Sequence, residues 1–320
     1  MKKRFYLIIL LTLLFPAFVF GGNFDRVSLT ISPLINKIDV EPGGTRSGFF
    51  LVTNSSPNDV LTDISTVDFE GGPDGEVELL FDQDQIDKPE ELLLSGWIIV
   101  PEEPVAVPAF SSVSVPFFME VPKRADPGGK YAAVLVNTKP EESEEGMGSA
   151  ITFSYGVGSL MLVNVEGDVI EDARLTDFSV SEDVYHREDP VSFSMTVKNY
   201  GSVHIQPRGE IRIYDHRGTQ VDTIPINRIT QFGNILPESQ RSWDFTWEGE
   251  NDIINTGKYE AVLFLDYGHE ERKTVTRSVS FWVLPMSRRQ MYLFASVLAL
   301  FLAFAGYRAY QVYNFINEDD

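Results

Sequence analysis

Gly129-Lys130-Tyr131-Ala132-Ala133-Val134-Leu135 returns later in the chain as Gly257-Lys258-Tyr259-Glu260-Ala261-Val262-Leu263. In both copies a turn glycine opens onto an alternating apolar run, the period of a strand with one face in a core. Each copy marks one β-sandwich domain, and the rest of the chain can be read outward from the pair.

Upstream of the two copies the pattern also repeats. Pro108 precedes Tyr131 by 23 positions and Pro237 precedes Tyr259 by 22, while Trp243, Phe245 and Trp247 alternate where Val113, Val115 and Phe117 stand. Asn255-Thr256-Gly257-Lys258-Tyr259 resembles the tyrosine corner of immunoglobulin-like sandwiches, in which the phenol ties its loop to the backbone. On that reading Tyr131 and Tyr259 are structural, and Ala133 and Ala261 fill the place of an antibody-domain cysteine. The chain has no cysteine at all, which excludes disulfides, thiolate metal sites and cysteine nucleophiles.

In the first domain, Val27, Leu29 and Ile31 alternate with polar residues until Pro33, and Ile38 to Val40 leads into the turn Pro42-Gly43. Phe49 to Asn54 reads as a buried strand closing on a polar turn residue. Ile64 to Phe69 and Leu94 to Val100, which includes Trp97, read as further strands. Val113 to Pro122 is a strand whose internal Pro116 places it at an edge or a bulge. Glu141 to Gly146 is a charged hairpin tip, and Ile151 to Val165 closes a sandwich of about eight strands.

The second domain restarts at Asp177 to Val180. Val191, Phe193, Met195 and Val197 alternate toward Asn199, as the earlier apolar strand ends on Asn54. Gly209 to Tyr214, the turn Asp215-His216-Arg217-Gly218 and Val221 to Ile226 form a hairpin.

The ends carry address signals. Lys2-Lys3-Arg4, the apolar run Phe5 to Phe15, and Val19 and Gly21 at −3/−1 spacing read as a signal peptide over residues 1–22. Met291 to Tyr307 is free of charge and at the short end of the length that spans a bilayer; Tyr292, Tyr307 and Tyr310 fit an interfacial belt. The expected plan is therefore a signal peptide (1–22), a first sandwich (23–168), a second (169–285), a transmembrane helix with flanks (286–309) and a cytoplasmic tail (310–320). The fold class is all-β: two tandem immunoglobulin-like β-sandwiches followed by one C-terminal transmembrane helix. Arg288-Arg289 on the exported side oppose the positive-inside bias, so the leader is read as setting the orientation.

Acidic residues outnumber basic ones 47 to 26, for a net charge of −21, which argues against nucleic acid. Setting aside the leader and everything from Arg288 onward leaves 20 basic and 44 acidic residues, a net charge near −24. Anionic wall polymers are then disfavoured against neutral glycan or a basic protein.

Signal, Val40-Glu41-Pro42-Gly43 leading to Phe50-Leu51-Val52-Thr53-Asn54, then Ala125-Asp126-Pro127-Gly128-Gly129 with Tyr131, Gly257-Lys258-Tyr259, one helix and a tail: this order resembles the DUF916 family, also called WxL-interacting proteins. The resemblance implies a cell-surface role, with peptidoglycan binding by the first domain and contact with partner or host proteins by the second.

Candidate chemistry is sparse. Asp82, Asp84 and Asp87 are clustered carboxylates suited to calcium, without the glycine and closing glutamate of an EF-hand loop. His186, His204, His216 and His269 stand singly, with no i, i+4 pair for zinc. There is no Gly-x-Ser-x-Gly, Ser-x-x-Lys, phosphate loop or His-Glu-x-x-His, and Glu102-Glu103 is the sort of pair that 47 acids produce by chance. The reading is a non-enzyme with no catalytic, cofactor-binding or metal residue assigned. It is a single-pass cell-membrane protein, mostly extracytoplasmic, that binds a surface protein or peptidoglycan through sandwich edges and loops. The alternative is a membrane-tethered periplasmic-type chaperone using strand addition, against which no pair of basic residues can be placed in a cleft between the domains.

Overall fold

The computed structural model describes residues 27–72, 75–81, 93–139, 155–227, 233–249, 256–268 and 272–317. The leader, the Asp82, Asp84 and Asp87 cluster, the Glu141 to Gly146 tip and His269 lie outside the described residues.

In the first sandwich, β1 (Leu29–Ser32), β3 (Thr45–Asn54), β8 (Ser111–Glu120) and β6 (Ile98–Ile99) form one sheet in the order β1-β3-β8-β6. Facing it, β2 (Ile35–Val40), β10 (Gly156–Val165), β9 (Gly128–Thr138), β4 (Val60–Gly71) and β5 (Val77–Leu79) run in that order, with β7 (Val105–Val107) also on β4. The first strand changes sheets where Pro33, after a cis peptide bond, cannot donate to the ladder. β1 then pairs antiparallel with β3, and β2 parallel with β10. Phe50, Val52, Val115, Phe117, Met119, Ala132, Val134, Met161 and Val163 fill the space between the sheets.

The second sandwich repeats the plan. One sheet is β11 (Ala173–Val180), β13 (Val191–Asn199) and β16 (Gln240–Trp247). The other is β12 (Val184–His186), β18 (Lys273–Leu284), β17 (Gly257–Tyr267), β14 (Arg208–Tyr214) and β15 (Gln220–Ile226), in that order. Again the first strand is shared between sheets, and β12 pairs parallel with β18. Its core stacks Phe193, Trp247, Tyr259 and Phe281, whose ring centroids lie 5.4–6.1 Å apart along the contacts of Trp247, Tyr259 and Phe281. The helix α1 (Arg288–Asn317) follows, so the segment read as a tail is helical through Asn317.

Leu94 to Val100 is not the single strand its composition suggests. Leu94–Trp97 is a 3-10 turn, because the Asp68 carboxylate accepts the Leu94 amide at 2.8 Å and the Ser95 amide at 3.2 Å, and only Ile98–Ile99 pairs. Trp97 is thereby driven into the core.

Each sandwich is tied at one end by a buried asparagine. Asn54 donates Nδ2 to the Asn58 and Val107 carbonyls at 2.8 and 3.0 Å and accepts the Ser56 amide at 2.9 Å. Asn199 donates to Val203 and Ile235 at 2.8 and 3.0 Å and accepts the Gly201 amide at 2.8 Å. The equivalence of Val107 with Ile235 aligns Pro108 with Leu236, each 23 positions before its tyrosine, so the match of Pro108 to Pro237 is corrected by one residue.

The tyrosine pair itself needs a larger correction. Ala132, Val134 and Val136 point into the first core, whereas Tyr259, Ala261, Leu263 and Leu265 point into the second. A shift of one residue reverses the face, so Tyr131 and Ala133 lie on the outer side of the first sandwich. Gly128 (φ 121°) is the counterpart of Gly257 (φ 129°), facing Val165 as Gly257 faces Val283. Tyr185 also ties a loop of the second sandwich: its hydroxyl meets Ser181 Oγ at 2.8 Å and accepts the Glu182 amide at 3.0 Å.

Two outcomes follow. Asn54→Ala or Asn199→Ala strands buried amide and carbonyl groups at a cost of about 3 kcal/mol, read as a lowered urea midpoint of the detergent-solubilised chain. Asp215, in the β14–β15 turn, is covered, which alone would raise its pKa. The Thr219 amide and the Arg217 side chain and amide outweigh burial and hold it at about 2. Its contribution is complete above the ordinary carboxylate range near 4 and is lost as pH falls toward 2. Between those values the Asp215→Asn variant should show a flatter loss of urea midpoint than the native chain.

Candidate functional site

The described residues offer three surfaces: two between the sandwiches and one on the free face of the first. The first two exist because the outer side of the β2-β10-β9-β4-β5 sheet is itself apolar. Ile35, Val67, Phe69, Ala133 and Leu162 form a cluster there that Leu236 of the second sandwich completes. Burying Leu236 contributes about 2 kcal/mol. The exposed bond from Lys37 Nζ to Gln206 Oε1 (3.0 Å) contributes about 1 kcal/mol, so apolar packing dominates the docking.

Backbones approach closely at this contact. The Gly129 amide donates to the Ser202 carbonyl at 2.9 Å. A Cβ on Gly71 would stand 2.7 Å from Ser239 Cβ, and Ser239 is buried with its hydroxyl donated to the Leu236 carbonyl at 2.9 Å. Tyr131 lies in the contact with its ring 5.8 Å from both Phe69 and His204. Burial raises its phenol pKa, and the His204 amide only partly offsets this because it falls short of full hydrogen-bond geometry.

On one side of the contact is an ionic cleft of about 450 Å³ that includes Lys37, Asp39, Glu171, Arg208, Asp266 and Arg272. Gln206 Oε1 accepts from both Lys37 Nζ and Arg208 Nη2, at 3.0 and 2.9 Å. Burial and the Arg208 charge hold the Lys37 pKa down. The expectation that no basic pair falls between the domains is therefore overturned: residues 171 positions apart in sequence meet there. On the other side is an apolar groove of about 560 Å³ with Leu34, Phe69, Leu160, Leu162 and Leu236 on its walls.

The third surface lies on strands whose apolar composition reads as core, and the structure exposes it. Phe49 to Asn54 alternates: Phe50 and Val52 are fully buried, but Phe49 is 64% exposed and Leu51 40%. β8 does the same, with Phe117 inside and Phe118 outside. Register sets Phe49 opposite Pro116, and Phe118 opposite Ile99, which is 55% exposed. Phe49, Leu51, Ile99, Pro116 and Phe118 thus share one apolar face. A continuous apolar run cannot be assigned one or two buried faces by composition alone.

Other sequence candidates stand apart. Glu102 and Glu103 are exposed in the turn between β6 and β7, His186 sits at the end of β12, His204 borders the ionic cleft, and His216 is exposed. Among the described residues no group of three or more His, Asp or Glu side chains is arranged to hold a metal ion.

The arrangement defines a class: two immunoglobulin-like sandwiches packed through loops onto a sheet face, with an exposed apolar helix at the C-terminus. No family model matches the chain, and no curated protein sequence does either. Among solved structures, the chain is similar to one from a Salmonella enterica SafA pilin–SafB chaperone complex, with 11% identity over 79% of this chain and 97% of that one and a TM-score of 0.37. It is also similar to the Pseudomonas aeruginosa CupB2 chaperone (11% identity, 78% of this chain, 100% of that one, TM-score 0.34). A third is a Porphyromonas gingivalis protein (7%, 78%, 98%, TM-score 0.31). At such scores the fold assignment rests on the sheets and registers described above.

Gly71 tests the docking, since its close neighbours all belong to the second sandwich. Gly71→Ala should leave both sandwiches folded by circular dichroism while raising the radius of gyration in small-angle scattering.

Proposed function

We propose that this chain is a membrane-anchored extracytoplasmic binding or scaffolding protein that recognises a partner protein through the β1-β3-β8-β6 face. The observation that carries this reading is the row of Phe49, Leu51, Ile99, Pro116 and Phe118 open to solvent. Contiguous exposed apolar surface on a sandwich marks an interaction site. Its flanking groups are hydroxyls such as Ser47, Ser112 and Ser114, which suit a protein surface better than the dense hydrogen bonding a wall glycan needs.

The anchor is the stretch Arg288–Gln311, 24 residues long and wholly exposed, sufficient to cross a bilayer. Charge bias against an outward Arg288 is weakened locally. Its Nε lies 2.7 Å from Asp189 Oδ2 and its Nη2 3.8 Å from Glu182, both on the second sandwich. The sandwich thus supplies the counter-charge that the positive-inside rule leaves out.

A photo-crosslinking residue placed at position 49 should give a discrete protein adduct on intact cells, and one at Asp177 should not. Phe49→Ser with Phe118→Ser should weaken capture of that partner by about tenfold or more. Equal capture by the variant would remove the reading, and undiminished binding to purified peptidoglycan alone would move it to the wall.

Strand addition has one observation in its favour. β2 pairs with β10 over Leu160–Val165, and among the described residues no strand pairs with Gly156–Gly158 on that side, beside the 560 Å³ apolar groove.

A further inference from the structure

We infer that the outer face of β12, β18 and β17 nearest the helix lies on the lipid surface, so that the second sandwich leans onto the membrane that α1 enters. The inference rests on the membrane-anchored reading and deepens it.

Three cross-strand neighbours make a row on that face: Val184 pairs with Trp282, and Trp282 with Lys258. Trp282 is 51% exposed, Val184 44% and Lys258 exposed. Two residues further along β18 comes Leu284, then Met286, each 37% exposed. An indole with aliphatic neighbours and a lysine beside it is the composition of a bilayer interface, where the ring lies at headgroup depth and the ammonium meets phosphate. In a sandwich held in water the same row would leave its largest aromatic without cover.

The occupant is set by where the chain goes next. Only Pro285 and Met286 separate β18 from Ser287, which caps α1: Ser287 Oγ accepts the Gln290 amide at 3.4 Å, and the Ser287 amide donates to Gln290 Oε1 at 3.1 Å. This reciprocal pair is a capping box. The junction is braced from β12 and its following loop. The Arg187 amide donates to the Leu284 carbonyl at 3.0 Å, His186 Nδ1 is 3.2 Å from the Met286 carbonyl, and Arg288 Nε donates to Asp189. A short, braced joint holds the strand at a set angle to the helix. Trp282 stands six residues before Arg288, so it is at most about 20 Å along the chain from the helix start. The headgroup layer is only about 5–8 Å deep on each side of the hydrocarbon. Trp282 therefore reaches lipid only if this face turns toward the bilayer, and the lean is the testable content.

The tryptophans make the test clean: Trp97 and Trp247 are buried and Trp243 half-buried, which leaves Trp282 as the exposed one. The full chain is placed in phosphatidylcholine nanodiscs with lipids brominated near the top of the acyl chain. Wild type should lose a component of its emission that the Trp282→Phe variant lacks, and that component should resist acrylamide. If wild type and variant are quenched alike while the chain stays with lipid through alkaline carbonate, the helix is anchored but the lean is wrong. Release of the chain by carbonate would overturn the anchor and the lean together. Trp282 protected only after envelope proteins are added would assign the face to a protein and reject lipid.

Discussion

A sheet has two faces, and in the first sandwich the β2-β10-β9-β4-β5 sheet is apolar on both. One face makes the domain core; the other must be covered by something else. The loops around Ser202 and Leu236 of the second sandwich supply that cover, and the arrangement of the molecule follows from it. Where the sheet is covered, side chains shrink to glycine: Gly71 leaves room for Ser239, Gly128 lets the Ser202 carbonyl approach, and Gly129 makes way for the Tyr131 phenol. At its margins two recesses form, one ionic and one greasy, because loops cannot cover a twisted sheet to its borders.

Much of this was legible in the sequence. Alternation located most strands, Pro33 the end of the first, the Asp215 turn its hairpin, and the shared asparagines their matching ends. What failed was the assignment of face. Tyr131 and Tyr259 sit in near-identical words, yet a loop one residue longer before Gly257 turns one tyrosine inward and leaves the other against the neighbouring domain. Local pattern fixes a period of two without its phase, and phase is set by distant pairing. Leu94 to Val100 failed differently, since the carboxylate that bends it, Asp68, lies 26 residues away.

The candidate surfaces were less legible for the same reason. Phe49 and Phe118 belong to apolar runs whose buried members dominate the composition, so their exposure is a fact about missing cover. The basic pair Lys37 and Arg208 meets only because two domains meet, and no spacing in a single chain encodes that.

The joint between β18 and α1 carries a mechanical consequence. Force applied to the sandwiches from outside reaches the helix through two residues and a capped, salt-bridged turn, with no slack linker to absorb it. Inside the second sandwich the load runs along β18, which is hydrogen-bonded to β17 from Gly257–Val283 through Tyr267–Lys273. Tension along a strand shears that whole ladder at once, where tension across it would part the bonds one by one. Pull between the sandwiches and α1 is therefore borne by the whole β17–β18 ladder together rather than by one hydrogen bond after another.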